Sequence, residues 1–283
     1  MQTSGLFKTH AVTVKAKMNE PIKLIPFGDI HRESALHCNT KWKEFLDYAK
    51  AQKNAVFLGM GDYADGCSTS ERQILNMGGL HETTKETMKD VYKGVTKTLA
   101  NELSFMRGKC IGMLGGNHYY DFEDGSTTDH MLASYLGAPY LGVCSFIRLS
   151  IDTGGHSKAL DIFAHHGKGG AATPGGDFNT IEKMTMAADA DIYLMGHTHK
   201  RGTLPSSPRL TLSGTGRGIQ VVQREPWLGR TGSFLKAYES GKVSYNVDAG
   251  RAGCSLGWIE FDISVRRRST VPRIYEFSIR GTA

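Results

Sequence analysis

Five times along this chain a short apolar run stops and hands over at once to Asp, Asn or His, with glycine alongside. Ile22–Phe27 leads into Gly28-Asp29-Ile30-His31, and Ala55–Met60 into Gly61-Asp62-Tyr63-Ala64-Asp65. Cys110–Leu114 leads into Gly115-Gly116-Asn117-His118. Leu160–Ala164 leads into His165-His166-Gly167, and Ile192–Met195 into Gly196-His197-Thr198-His199. Runs this short, bounded by glycine, read as buried strands rather than helices. Between them apolar residues recur at helical spacing: Trp42, Phe45, Leu46 and Ala49; Val91, Val95, Leu99 and Leu103; Met131, Leu132, Tyr135 and Leu136; Ile181, Met184 and Ala188. Strands alternating with helices predict an α/β domain with a largely parallel sheet.

In open α/β sheets the loops at the carboxyl ends of the strands converge, and ligands bind there. The five strand ends are therefore expected to bring Asp29, His31, Asp62, Asn117, His165 or His166, His197 and His199 to one crevice. That set offers carboxylates, an amide oxygen and imidazoles but no thiolate, which suits Mn, Fe, Zn or Ni better than Ca or Mg. If these segments are extended, the Asp-x-His and His-x-His spacings each aim two ligands across one space. Gly28, Gly61, Gly116 and Gly196 stand before the ligands, where a side chain would crowd the turn. Taken singly, each block has a plain structural reading: a histidine pair on the surface, a turn, a helix cap. All five in order, each just after an apolar run, point to metal binding.

From residue 201 the pattern changes. Residues 217–222, 257–263 and 273–279 alternate at period two, as do residues 145–151, which predicts half-exposed strands of a mostly antiparallel second sheet. The same third of the chain holds thirteen basic residues, eleven of them Arg, against six acidic ones, whereas the whole chain is only +6. Arg suits phosphate contact, so nucleic acid or a nucleotide is an expected partner class. Arg266-Arg267-Arg268 is the densest cluster. Five cysteines without close pairing argue against a disulfide framework. No apolar run is long enough for a membrane helix and no apolar leader is evident, so no membrane partner and a cytoplasmic location are expected. Gly167–Gly176 and Trp227-Leu228-Gly229-Arg230 read as rim or surface loops.

The ordered blocks Gly-Asp-x-His, Gly-Asp-x-x-Asp, Gly-Asn-His, His and Gly-His-x-His resemble those of the calcineurin-like metallophosphoesterases, over residues 28–199, about 60% of the chain. The resemblance implies a single domain with a four-layer αββα sandwich, two central mixed β-sheets flanked by helices, the segment 201–283 completing the second sheet. It implies two transition-metal ions. Asp29, His31 and His199 would hold the first, Asn117, His197 and the fourth-block His165 the second, with Asp62 between them. A hydroxide bridging the ions would attack a phosphodiester or phosphomonoester, and His118 would act on the leaving oxygen as the catalytic group. His166 would reach the substrate. Tyr119 stands where the family often has an acidic residue, so Asp121 is expected to steady His118 instead. No Arg follows Asp65, which lowers the case for a protein phosphatase. The other alternative, an inactive scaffold of this fold, would require lost ligands, and none is missing.

Overall fold

The computed structural model describes residues 9–77, 79–171, 173–213, 218–242, 245–248, 250, 252–267 and 275–283. All five apolar runs form strands: β2 (Ile22–Phe27), β3 (Ala55–Gly59), β4 (Cys110–Met113), β6 (Ser157–His165) and β7 (Ile192–Met195), with β1 (Thr9–Lys15) preceding them and β5 (Cys144–Asp152) between. Four more follow β7: β8 (Arg201–Pro205), β9 (Arg209–Ser213), β10 (Gln220–Arg224) and β11 (Trp227–Thr231). The chain closes with β12 (Glu260–Arg267) and β13 (Tyr275–Thr282).

These strands build two large mixed sheets, ordered β13-β12-β2-β3-β4 and β1-β5-β6-β7-β11-β8, and a separate β9–β10 pair. The alternation within each strand explains the layering. In β3, Val56 and Leu58 point into the space between the sheets, where Leu160 and Ile162 of β6 and Ile192 and Leu194 of β7 meet them. Ala55 and Phe57 point the other way, onto Trp42 and Phe45 of α1 (Asn39–Ala51), Leu99 of α3 (Glu82–Glu102) and Leu132 of α4 (Thr128–Leu136); α2 (Thr69–Met77) precedes α3. On the far side, Tyr193 and Met195 of β7 pack on Ile181 of α5 (Pro174–Glu182). Two sheets with dry inner faces and helices outside give the αββα sandwich.

Three expectations are corrected. The late strands are divided between the sheets: β8 and β11 complete that of β5–β7, whereas β12 and β13 extend the sheet of β2–β4, because β12 lies antiparallel to β2, with Phe261 opposite Leu24. Residues 145–151 fall in β5 of the other sheet, beside β6. Trp227–Arg230 is no loop but the core of β11, parallel to β7, with Leu228 and Arg230 fully buried. In α3, Val91 faces solvent and burial begins only at Thr96, so the four-residue repeat runs beyond the buried face. Residues 217, 268, 273 and 274 of the sequence patterns lie outside the described residues.

Candidate metal centre

Each motif loop begins where its strand ends, and the two sheets present those ends side by side. Asp29, His31, Asp62 and Asn117 come from the β2–β3–β4 sheet, His166, His197 and His199 from the β6–β7 sheet. The candidate ligands are not on extended backbone as the spacing implied. Asp29 (φ +46°), His31 (+46°), Asp62 (+51°), His197 (+68°) and His199 (+56°) all adopt the left-handed conformation. Such a conformation is unfavourable for residues other than glycine, and its concentration at one place marks a functional constraint. Alternate residues face one space here because two left-handed turns curl the loop, not because a strand alternates.

The glycines permit this crowding. A Cβ on Gly116 would lie 2.0 Å from Asp62 Oδ1, and one on Gly196 would lie 2.6 Å from Asp29 Oδ2.

Among the described residues three side-chain groups are close enough to share an ion: Asp29, His31 and His199; Asp62, His166 and His197; and His31, Asp65 and His118, which shares His31 with the first. Asp62 Oδ1 accepts the backbone amides of Asn117 (2.7 Å) and His118 (2.8 Å). Its Oδ2 faces His31 Nε2 at 3.8 Å and His166 Nε2 at 3.3 Å, so it links the second group to the first. Asn117 Oδ1 lies 3.0 Å from His166 Nε2 and 2.7 Å from His197 Nδ1. Asp29 accepts the His197 amide with both oxygens and lies 3.4 Å from His199 Nε2.

On position, His166 and not His165 lies in the cluster. His166 is buried in the cluster, and its Nδ1 donates to the Met60 carbonyl at 2.7 Å, turning Nε2 toward Asp62. His165 is the last residue of β6 and belongs to none of these groups; its Nδ1 accepts the Gly167 amide at 2.7 Å. Strand alternation decides it: with Ala164 facing the other sheet, His165 points outward and the next residue turns in. The steadying of His118 by Asp121 is also corrected. Asp121 pairs with Arg72 at 3.5 Å, whereas Asp65 is grouped with His31 and His118 and accepts from His31 Nδ1 at 3.0 Å.

The electrostatics follow from burial against pairing. Burial alone would push Asp62 up, yet His166, His31 and His118 outweigh it and hold the carboxyl well below its ordinary range. Burial would push His166 down, but Asp62 lifts it to about 9. In the same way Asp29 lifts His199 to about 10. Burial lowers His118 and His197.

The donor set suits metal ions, and one buried atom accords with this. His31 Nε2 is buried with no hydrogen-bond partner, although Asp65 on the opposite ring nitrogen fixes it as the atom that faces Asp62. A buried polar atom without a partner is costly, and a bound cation satisfies it. The hydrogen bonds to Asp65 and Met60 also have the form of the outer partners that orient metal-ligating imidazoles.

The layering and the convergence of five loops at one end of two sheets decide the architecture. It accords with the αββα sandwich that the resemblance to the calcineurin-like metallophosphoesterases implied. No protein-family model matches the chain, and no curated protein does. Among solved structures, a Vps29 double mutant from Entamoeba histolytica is 15% identical over 93% of this chain and 100% of its own, with a TM-score of 0.35. A predicted phosphoesterase of Streptococcus pneumoniae is 14% identical over 92% and 98%, at 0.31. GAP50, the anchor in the inner membrane complex of Plasmodium, is 9% identical over 91% and 88%, at 0.40. No helix among the described residues is long and apolar enough to cross a membrane.

Sequence reasoning missed Arg72. It lies on the first turn of α2, stacks on the Tyr119 ring at 3.7 Å and donates to the carbonyls of Cys67, Asn117 (2.9 Å) and Tyr119 (3.4 Å). Asp62 thus holds the amides of the Asn117–His118 turn while Arg72 holds its carbonyls from behind. No spacing in the sequence ties residue 72 to residue 117; only the packing of α2 does. Cys254 was missed for the same reason: its Sγ lies 3.6 Å from His199 Nδ1.

Proposed function

We propose that this chain is a metal-dependent phosphoesterase of the calcineurin-like class. The observation that carries the reading is Asp62, whose second oxygen lies between His31 and His166, with Asp29, His31 and His199 on one side and His166 and His197, beside Asn117, on the other. Asp29, His31 and His199 would hold one transition-metal ion and Asn117, His166 and His197 the other, with Asp62 shared. When bound, such ions would lower the pKa of a coordinated water and offset charge on the phosphoryl oxygens.

The chain's own residues do the rest. Asp65 and the Met60 carbonyl hold the two central imidazoles in one tautomer, so their Nε2 atoms stay aimed inward. Asp62 and Arg72 lock the turn that presents Asn117 and His118. His118 lies edge-on to His31, with ring centroids 4.9 Å apart, and would hand a proton to the leaving oxygen or steady its charge.

A small phosphomonoester or phosphodiester fits better than a long nucleic acid. Arg266 and Arg267 extend β12 past the N-terminal end of β2, whereas the ligands follow its C-terminal end. At about 3.3 Å per residue the sheet separates the two by roughly 30 Å. Arg209 and Arg224 are paired with aspartates, and Arg230 is buried. The test is a panel of aryl and alkyl phosphomonoesters, phosphodiesters and nucleotides, assayed with metal-stripped protein and after addition of Mn, Zn, Ni or Fe. Metal-dependent hydrolysis is expected; no turnover with any metal, in protein shown to hold two ions, overturns the enzyme reading in favour of a scaffold.

A further inference from the structure

The strongest unexplained feature lies far from the ligands. Residues 206–226 leave the main sheet between β8 and β11, which pair antiparallel with Trp227 opposite Pro205. β11 runs parallel to β7, whose C-terminal end leads into His197. The excursion therefore projects from the end of the sheet opposite the metal centre.

Within it β9 and β10 form a two-stranded ribbon with Leu212 opposite Val221 and Arg209 opposite Arg224. Strand alternation gives the ribbon two unlike faces. The inner face carries Arg209, Thr211, Val222 and Arg224. Arg224 donates to Asp191 (2.7 Å) and Asp189 (3.0 Å), and Arg209 donates to the Thr185 carbonyl (2.6 Å) and lies 3.7 Å from Asp189. These pairs fasten the ribbon to the body in one orientation. The outer face carries Leu210, Leu212 and Val221, with Ile219 one residue beyond; they are 77%, 73%, 63% and 55% exposed. An isolated two-stranded ribbon is marginal in water, and this one is held so that its apolar side faces outward.

We propose that this face is the contact surface of a two-fold dimer of this chain. The stripe carries no charge, so two copies can meet on it without opposing like charges. Both arginines of the described ribbon are turned inward and matched by aspartates, so the stripe offers nothing to the phosphates of a nucleic acid or of an anionic lipid surface. The Leu212–Val221 pair lies at the middle of the stripe, and a two-fold axis there places Leu210 of one copy against Ile219 of the other. The four side chains expose on the order of 450 Å² of apolar surface, the size of patch that marks an interaction site. Two stripes together bury about 900 Å², and the polar rim brings the contact into the range of a weak specific interface, which begins near about 1,000 Å². Both metal centres face away from the contact, so the inference does not depend on the reaction proposed above.

Sedimentation velocity of the full chain over a concentration series tests it. The wild type is expected to move from monomer, 31.0 kDa, to dimer as concentration rises. Leu212→Asp is expected to stay monomeric, and Leu212→Thr, which preserves strand propensity, to weaken the dimer by at least about tenfold. Ile74→Asp, at an exposed apolar position on α2, is expected to dimerise as the wild type does. Circular dichroism shows whether the variants are folded. A wild type that stays monomeric to about 100 µM overturns the proposal. So does a dimer that survives both Leu212→Thr and Val221→Thr, or a monomer that sediments with phosphatidylcholine–phosphatidylglycerol vesicles in a Leu212-dependent way.

Discussion

Asp62 divides its carboxylate between Asn117, whose amide it accepts at 2.7 Å with one oxygen, and His166, which faces the other at 3.3 Å. One side chain thereby builds the β4 turn and links the two ligand groups. Fully loaded protein is expected to hold about two transition ions per chain, and Asp62→Asn to lose at least one of them. Metal analysis after dialysis checks this; a ceiling of one ion under saturating Mn or Zn counts against a shared Asp62.

The two adjacent histidines are separable by mutation. His166→Ala is expected to weaken metal binding by more than about 100-fold, beyond the loss from removing an outer hydrogen-bond partner, while His165→Ala leaves it within about threefold. Titration calorimetry on both variants reads the difference, and the reverse order would return the ligand role to His165.

All five strands, the helices between them and the convergence of the motif loops were legible, because each depends on local apolar patterning that the chain states directly. Which of His165 and His166 faces inward was not, because it turns on whether β6 ends one residue earlier or later. The left-handed turns at Asp29 and His197 were hidden too: the two-residue spacing of their ligands fits an extended strand equally well. Burial of Arg230 was missed because a lone Arg after Trp227-Leu228-Gly229 has the appearance of a surface loop. Only pairing with β7 puts it in the core.

Metal loading is expected to release protons. His166 at about 9 and His199 at about 10 are protonated at pH 7 in the metal-free protein, and ligation requires them neutral. Calorimetry in two buffers of different ionisation enthalpy gives the number released, and affinity should climb as pH rises toward 9. The sign for stability is opposite. Because both folded values lie above the ordinary value of about 6.5, the His–Asp pairs stabilise metal-free protein fully below that pH. That contribution is lost progressively as pH rises from about 6.5 through 9 to 10, so the metal-free Tm should fall across this window.

Two glycines are expected to answer oppositely to alanine. Gly116→Ala places a carbon 2.0 Å from Asp62 Oδ1, so the carboxylate must move; metal retention should be lost, with destabilisation of about 1–3 kcal/mol or more. Gly94, inside α3 with open space around it, should gain about 0.5–1 kcal/mol as alanine. Denaturant melts of both variants check the pair.

Changing Arg266 and Arg267 to Ser should leave hydrolysis of a small aryl phosphodiester unchanged. It should also leave the salt dependence of oligonucleotide binding unchanged, since these residues stand at the other end of the sheet from the candidate ligands. A reduced salt slope in the double variant would reinstate a polynucleotide substrate. Arg268 lies outside the described residues.

The division of ligands between the sheets has a mechanical consequence. Both ligand groups proposed for the ions draw at least one side chain from either sheet: His199 completes the group of Asp29 and His31, and His166 and His197 that of Asp62. An ion seated there is a rivet through the sandwich, and it resists any sliding of one sheet over the other. Loosening the filling between the sheets far from the loops, as Leu58→Ala would, should therefore announce itself first as a leak of metal, before the chain unfolds.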